Sequence, residues 1–428
     1  MTGYGHVIKF ERIRQNIKQA QLSEGICSPA YLSKIESNSI VPSEQVQDGL
    51  FRRLNISTYP TSLSEDDFLR RVRLIYFEAI MYKDREKTSL ILKELENTDC
   101  LFLNKSNFFT FQLMMLRLNL IVTEHKNPVP DILTALSSMT KEFDDYQNFI
   151  YKLNLGFYYI FKEDYAHAMN SLETAFDYKE NLICEQWEIA DLEYVLGIIY
   201  LYQHKNLLAI QYSKSAIFYF EKKFFYTRVI ESCIVLAIAY RRAEKYTETI
   251  KTLQLAKKVS IELKLKENFP IIFYNLGTVL LEQGEIILAI ENFKECIALT
   301  DDKFSQGTCL CSIMIAYAKI NDTNAVVSWS KKGIELCENT TDKKLENIIH
   351  HFYCYLARYT NSNDLEETIK TSILYFEKKK DYHYSHKYSL QLAQYYLANK
   401  KYKNAATYFS LTNEFLAKKE NRNYSEDI

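Results

Sequence analysis

Six short segments of this chain share one hexapeptide pattern, and the first position of several of them carries a side chain able to do chemistry. The segments are NLGFYY (154–159), VLGIIY (195–200), VLAIAY (235–240), NLGTVL (275–280), SIMIAY (312–317) and QLAQYY (391–396). Asn154, Asn275, Ser312 and Gln391 place a hydrogen-bonding group at that first position. Asn119, within the run RLNLIV (117–122), occupies the same place in a degenerate repeat that starts at Asn119 itself. An amide is a donor and an acceptor at once, so it can pair with a peptide unit that has no partner of its own. Amides at successive copies would therefore suit an extended peptide. The same side chains could equally hydrogen-bond to solvent or between copies. Arg117 and Arg241 add forked guanidinium groups suited to a carboxylate. Arg242 beside them reads equally well as a helix-end charge. Glu193, Glu231 and Glu282 could balance an amine.

Catalytic motifs are missing. The chain has no P-loop, no G-x-G-x-x-G, no G-x-S-x-G and no H-E-x-x-H. His383 and His386 sit three apart and His350 adjoins His351, but neither pair has the cysteine and carboxylate company of a metal site. The reading is of a binding protein rather than an enzyme, with no metal and no cofactor.

Long helices must position these groups. Only 10 Gly and 6 Pro punctuate 428 residues, too few for many hairpins. Hydrophobic residues make up 47% and charged residues 25%, the balance of a folded protein, and the length calls for more than one unit. The 33 Tyr and 25 Phe suit stacked helices that need aromatic wedges. Nine cysteines without a CxxC pair read as reduced thiols in a cytoplasmic protein. No apolar leader and no run of about 18 apolar residues is present, so neither export nor a membrane span is expected.

The hexapeptides are followed by a second pattern. Ala168, Leu172 and Ala175 follow the first; Ala209, Tyr212 and Ala216 the second; Thr249, Leu253 and Ala256 the third; Ala289, Phe293 and Cys296 the fourth. This alternation of small and large residues resembles the tetratricopeptide repeat. Gly156, Gly197, Ala237 and Gly277 are spaced by 41, 40 and 40 residues, against a usual period of about 34. The extra residues must lengthen helices or loops. Segments 66–98, 106–139 and 343–380 have the right length for degenerate pairs. The expectation is an all-α chain with about nine helix pairs over 65–420, wound as a right-handed solenoid.

Residues 1–56 read differently. Val7, Ile8, Ile13 and Ile17 mark a first helix, Gln19 to Glu24 a second stopped by Gly25, and Ser28-Pro29 the start of a third. A fourth follows Pro42-Ser43, with Val46, Leu50, Phe51 and Leu54 inward. Residues 1–60 carry seven Lys or Arg against five acids, and the whole chain has net charge −1, so charge alone would not suggest nucleic acid. The run IRQNIKQAQLSEGICSPAYLSKIESNSIVPS, however, resembles the helix-turn-helix domain of the Xre and phage-repressor group. The resemblance implies a recognition helix in the major groove, with base edges read by Ser28, Ala30 and Ser33, and phosphates held by Gln19, Tyr31, Lys34 and Arg14. Residues 57–64, with Pro60, read as a linker.

Such a domain fused to long-period repeats resembles the peptide-responsive quorum-sensing regulators of Gram-positive bacteria, the Rap/Npr/Plc/Prg group. The chain's length suits the neutral-protease-regulator type, and the shorter Plc type has too few repeats. The resemblance implies a short re-imported signalling peptide in the repeat groove, promoter DNA on the N-terminal domain, and a homodimer or homotetramer whose state the peptide changes. The repeats alone are similar to Rap phosphatases, which implies the alternative of a module binding a sporulation response regulator.

Overall fold

The computed structural model describes residues 3–56, 64–96, 101–179, 182, 184–339, 343–360 and 362–424. The chain divides into two compact units, Met1–Val259 and Ser260–Ile428. Among the described residues every regular element is helical.

Four short helices come first: α1 (Gly5–Arg14), α2 (Gln19–Ser23), α3 (Pro29–Glu36) and α4 (Glu44–Leu54). Gly25 takes φ +71° in the turn after α2, a conformation that L side chains resist. The Ser28 hydroxyl accepts the Tyr31 N–H at 3.2 Å and Pro29 opens α3, as the residue types lead one to expect. Ile8, Leu22, Leu32, Ile35, Leu50, Phe51 and Leu54 form the common core.

Helix pairs follow. In the first unit they are α5 (Glu65–Tyr82) with α6 (Arg85–Glu96), α7 (Lys105–Thr123) with α8 (Val129–Ser137), α9 (Asp145–Phe161) with α10 (Tyr165–Lys179), α11 (Gln186–Tyr202) with α12 (Asn206–Lys222), and α13 (Tyr226–Arg242) with α14 (Tyr246–Glu262), whose last turn crosses the division. The second unit holds α15 (Phe269–Gln283) with α16 (Ile286–Ala298), α17 (Lys303–Lys319) with α18 (Thr323–Glu338), α19 (Glu346–Tyr359) with α20 (Leu365–Lys378), and α21 (Tyr382–Ala398) with α22 (Tyr402–Tyr424). These are nine pairs among the described residues, of tetratricopeptide type, and the three degenerate segments each form one.

The long period goes into helix length. α11, α12, α13 and α14 are each 17 residues long, joined by links of three residues. The same link position turns left-handed in successive pairs, at Glu163, His204, Glu244 and Gly284, with φ between +59° and +88°. Only one of the four is glycine, which is how so few glycines close so many helices. Close approach explains another: a Cβ on Gly156 would lie 2.4 Å from Leu172, the large residue of the second pattern.

The N-terminal four helices pack on the pairs that follow. Phe10 is fully buried and meets Phe108 of α7 edge-on, ring centroids 5.4 Å apart. His6 Nε2 lies 3.0 Å from the Phe102 carbonyl, and Lys9 pairs with Glu142 at 3.2 Å. Residues 57–63 of the expected linker lie outside the described residues; Ser64 instead caps α5, accepting from the Asp67 N–H at 3.2 Å.

Candidate functional site

Two sets of residues carry the functional expectations: the outer face of α3, and the first-position side chains of the A helices (the odd-numbered helices from α5 onward).

Glu36 ties the N-terminal domain together. Its buried carboxylate accepts from Arg12 Nε at 2.5 Å and Nη2 at 3.0 Å, and from Gln19 Nε2 at 2.7 Å. The ends of α1, α2 and α3 are thereby held around one acid. Arg53 donates to the carbonyls of Leu22 and Glu24, at 2.8 and 2.6 Å, and so caps α2 from α4. On α3, Leu32 and Ile35 turn inward while Ala30, Ser33 and Lys34 are exposed. Ser28 is exposed too, although its oxygen is engaged as the cap. Tyr31 is half-buried and packs against the domain core. Arg14 lies at the end of α1, paired with Glu11 at 2.6 Å. The structure thus leaves Ser28, Ala30, Ser33 and Lys34 exposed along the outer side of α3. Gln19 and Arg14, the other two expected phosphate contacts, are each engaged by a carboxylate, Gln19 by Glu36 and Arg14 by Glu11.

In the first unit the inward groups are more deeply enclosed than an open groove would leave them. Asn154 on α9 is fully buried, and its Nδ2 donates to the Leu113 carbonyl of α7 at 2.9 Å. Asn119 is 1% exposed and donates to Met115 in its own helix at 2.9 Å. Their Oδ1 atoms are buried with no hydrogen-bond partner, as is Arg117 Nη1. Unpaired buried polar atoms are costly and therefore uncommon. The amides were expected to face a groove; Asn119 and Asn154 are enclosed between helices.

Arg117, another of the expected peptide contacts, is enclosed as well. Its guanidinium is not an open fork but part of a buried network. Nη2 pairs with Asp191 of α11 at 2.7 Å, and the group lies over the Phe157 ring of α9, 3.2 Å from its centroid. Asp191 also takes Arg228 of α13 at 2.7 Å, and Arg228 takes Glu231 at 2.5 Å. Burial pulls the Arg117 guanidinium below its usual range while Asp191 counters it. For Arg228 the acids outweigh burial and hold it above. Lys83, at the end of α5, is pushed down to about 8 by desolvation, and Arg228 and Arg117 add to the effect against the pull of Glu231. Tyr76, Phe77 and Trp187 pack beside this network in edge-to-face contacts.

Sequence reasoning missed Asp191 and Arg228. The available signal was an acid in α11 and a base in α13, both A helices, 37 residues apart, close to one repeat. Glu231 was read as an amine partner and is committed to Arg228. Glu193 accepts from Ser215 at 2.7 Å. Arg242 donates to the Leu201 carbonyl, and Arg241 beside it is half-exposed. Glu282 is exposed.

In the second unit Asn275 donates to Ile271 of its own helix at 2.8 Å and is 6% exposed. Ser312 donates to Thr308 at 3.0 Å, and Gln391 is half-buried on α21. His351 donates or accepts at the Tyr388 hydroxyl, 2.5 Å away, and His350 stacks on Tyr375. Aromatic packing is thus the setting of this histidine pair. No group of three or more His, Cys, Asp or Glu suited to a metal occurs among the described residues. No described helix is long and apolar enough to cross a membrane.

No protein-family model matches the chain. It is similar to the transcriptional activator NprA of Geobacillus stearothermophilus, with 27% identity over 403 residues, 92% of this chain and 98% of that protein. It is also similar to the regulatory protein RapD of Bacillus subtilis, with 23% identity over 282 residues, 64% of this chain and 78% of RapD. Among solved structures, the apo quorum sensor NprR from B. thuringiensis matches with a TM-score of 0.71 at 15% identity, covering 82% of this chain and 99% of that one. A Rap protein complexed with competence and sporulation factor matches at 0.64 and 15%, covering 83% and 100%. These likenesses bear out the resemblance to the Rap/Npr/Plc group of regulators, and the fold is that of its solved members.

Proposed function

Starting from a likeness to a transcriptional activator that spans nearly the whole chain, we propose that this protein is a peptide-gated transcriptional regulator. The N-terminal four helices bind promoter DNA, and the A-helix side of the repeats binds a short peptide. The observation that carries the reading is the outer face of α3. Ala30, Ser33 and Lys34 are exposed on a helix whose other face is packed, and Glu36 fixes that helix to α1 and α2. Hydroxyl and ammonium groups on a rigid, exposed helix suit base edges and phosphates.

The peptide reading is supported by the unpaired acceptors of Asn119 and Asn154 and the unpaired Arg117 nitrogen. Among the described residues no group pairs with these atoms, and a small opening would offer them to a ligand. Arg241 adds to the set in the first unit; in the second unit, Asn275, Ser312 and Gln391 are the candidates at the same repeat position. DNA and peptide are then coupled through the packing of α1 on α7 and α8: whatever shifts those helices shifts the DNA-binding domain, and the coupling is reciprocal. The protein would act as a homodimer or homotetramer on a two-fold operator.

Selection of full-length protein on fragmented genomic DNA tests the reading. Enrichment of a palindromic site is expected, with half-sites about one helical turn apart or a multiple of it. Random recovery of fragments would contradict it.

A further inference from the structure

The second unit contains a cation that no acid answers. Lys387, on α21, holds its Nζ 5.6 Å from the ring centroid of Tyr355, 5.9 Å from Tyr384 and 5.5 Å from Tyr388. These distances lie within the range of cation–π attraction. The side chain is partly buried, and among the described residues no carboxylate pairs with it.

Every group that faces it is neutral or cationic. From α17 comes the Cys311 thiol and from α19 the Cys354 thiol, both pushed up to about 12 by burial, so neither is a thiolate near neutral pH. His351 of α19 is held neutral by burial, and Lys387 itself is among the cations that hold it so. The phenols of Tyr355 and Tyr384 are likewise pushed up to about 12 by burial. Burial draws the Lys387 ammonium below its ordinary range, with no carboxylate to restore it.

An ammonium in such a place costs free energy that three ring faces offset only in part. Structural lysines normally avoid the cost by pairing or by reaching solvent. Gln391, one of the proposed peptide contacts, lies one turn further along the same face of α21.

We infer that Lys387, ringed by Tyr355, Tyr384 and Tyr388, is a carboxylate subsite of the peptide-binding surface. The ligand group is an aspartate or glutamate side chain, or the peptide's free C-terminus. The carboxylate pairs with the ammonium and accepts from phenol hydroxyls at the rim. The inference rests on the peptide reading above and adds which chemical group the second unit selects.

The test is a positional-scanning library of synthetic heptapeptides, in free-acid and C-terminally amidated forms, on full-length wild type and on Lys387→Met and Lys387→Arg. Wild type should prefer an acidic side chain or a free C-terminus by about tenfold, as expected of a charge-assisted pair. Loss of preference on amidation alone identifies the C-terminus; loss on Asp-to-Asn exchange identifies a side chain. Lys387→Met should lose the preference and Lys387→Arg should keep most of it. An unchanged preference in Lys387→Met overturns the subsite, as does wild-type binding indifferent to acids. Failure of wild type to bind any peptide contradicts the peptide reading instead. The subsite is then decided on wild type alone, by NMR of the ¹³C-dimethylated lysine with N-acetyl-aspartate amide. A shift absent with the asparagine analogue supports it, and no shift overturns it. The same measurement serves if Lys387→Met does not fold.

Discussion

Asp191 and Arg228 pair at 2.7 Å with neither side chain more than 1% exposed, and the second oxygen of the same carboxylate takes Arg117, also at 2.7 Å. One acid from α11 thus joins α7 and α13. Removing it leaves two buried guanidinium groups without their shared counter-charge. Breaking a buried pair in this way costs about 3–5 kcal/mol. Asp191→Ala should therefore lower the urea stability of the first unit by that amount, read by circular dichroism. A change under about 0.5 kcal/mol, the scale of an ordinary surface substitution, would show that the network is not holding these helices.

Acid should destabilise the second unit through His351. Burial, with repulsion from Lys387, His350 and His383, pushes its pKa down to about 3. The folded state therefore favours the neutral ring. Its contribution is complete above the unfolded value of about 6.5 and is lost as pH falls from there toward about 3, by at most about 1.4 kcal/mol per unit. Urea midpoints at several pH values between 7.5 and 4.5 should fall less steeply in His351→Gln than in wild type. Parallel curves would remove His351 as the cause.

The two central asparagines should separate in experiment. Asn154 bridges α9 to α7, whereas Asn275 bonds only within its own helix. Asn154→Ala should cost about 1–3 kcal/mol of stability, the penalty for an unmade buried hydrogen bond. Asn275→Ala should leave stability nearly unchanged. Both should weaken a library-selected peptide by about 1–3 kcal/mol. Calorimetry showing wild-type affinity in either variant would take that residue out of the site.

Phe10 should govern how the N-terminal domain is held. It is fully buried against Phe108 across the domain junction. A buried Phe-to-Ala change costs about 3–5 kcal/mol. In Phe10→Ala, amide exchange in α1–α4 should speed up while α9–α13 keep their protection. Equal protection of α1–α4 in both proteins would mean that this contact does not hold the domain.

The repeats were legible because the small-large pattern recurs every 40 or 41 residues, and each copy repeats the same information. The capped start of α3 was legible because Ser28-Pro29 and Gly25 act locally. Phe10 and His6 were not, since an apolar stripe such as Val7, Ile8, Ile13 and Ile17 announces one buried face and says nothing of a second partner. Asn154 and Arg117 announced that each needs a partner. Whether that partner is a ligand, a carbonyl such as Leu113 or an acid such as Asp191 depends on which helices become neighbours, and composition does not carry that.

The central claim is that α3 reads DNA. Fluorescence anisotropy of full-length protein on its selected duplex, at matched salt, tests it most directly. The Ser33→Ala, Lys34→Ala double variant should retain wild-type circular dichroism, because both side chains are exposed. It should bind the selected site at least about tenfold more weakly, one lost base or phosphate contact being worth roughly 1–3 kcal/mol. Wild-type affinity and selectivity in the double variant would contradict the assignment of α3 and, with it, the reading of this protein as a regulator that acts on DNA through that helix.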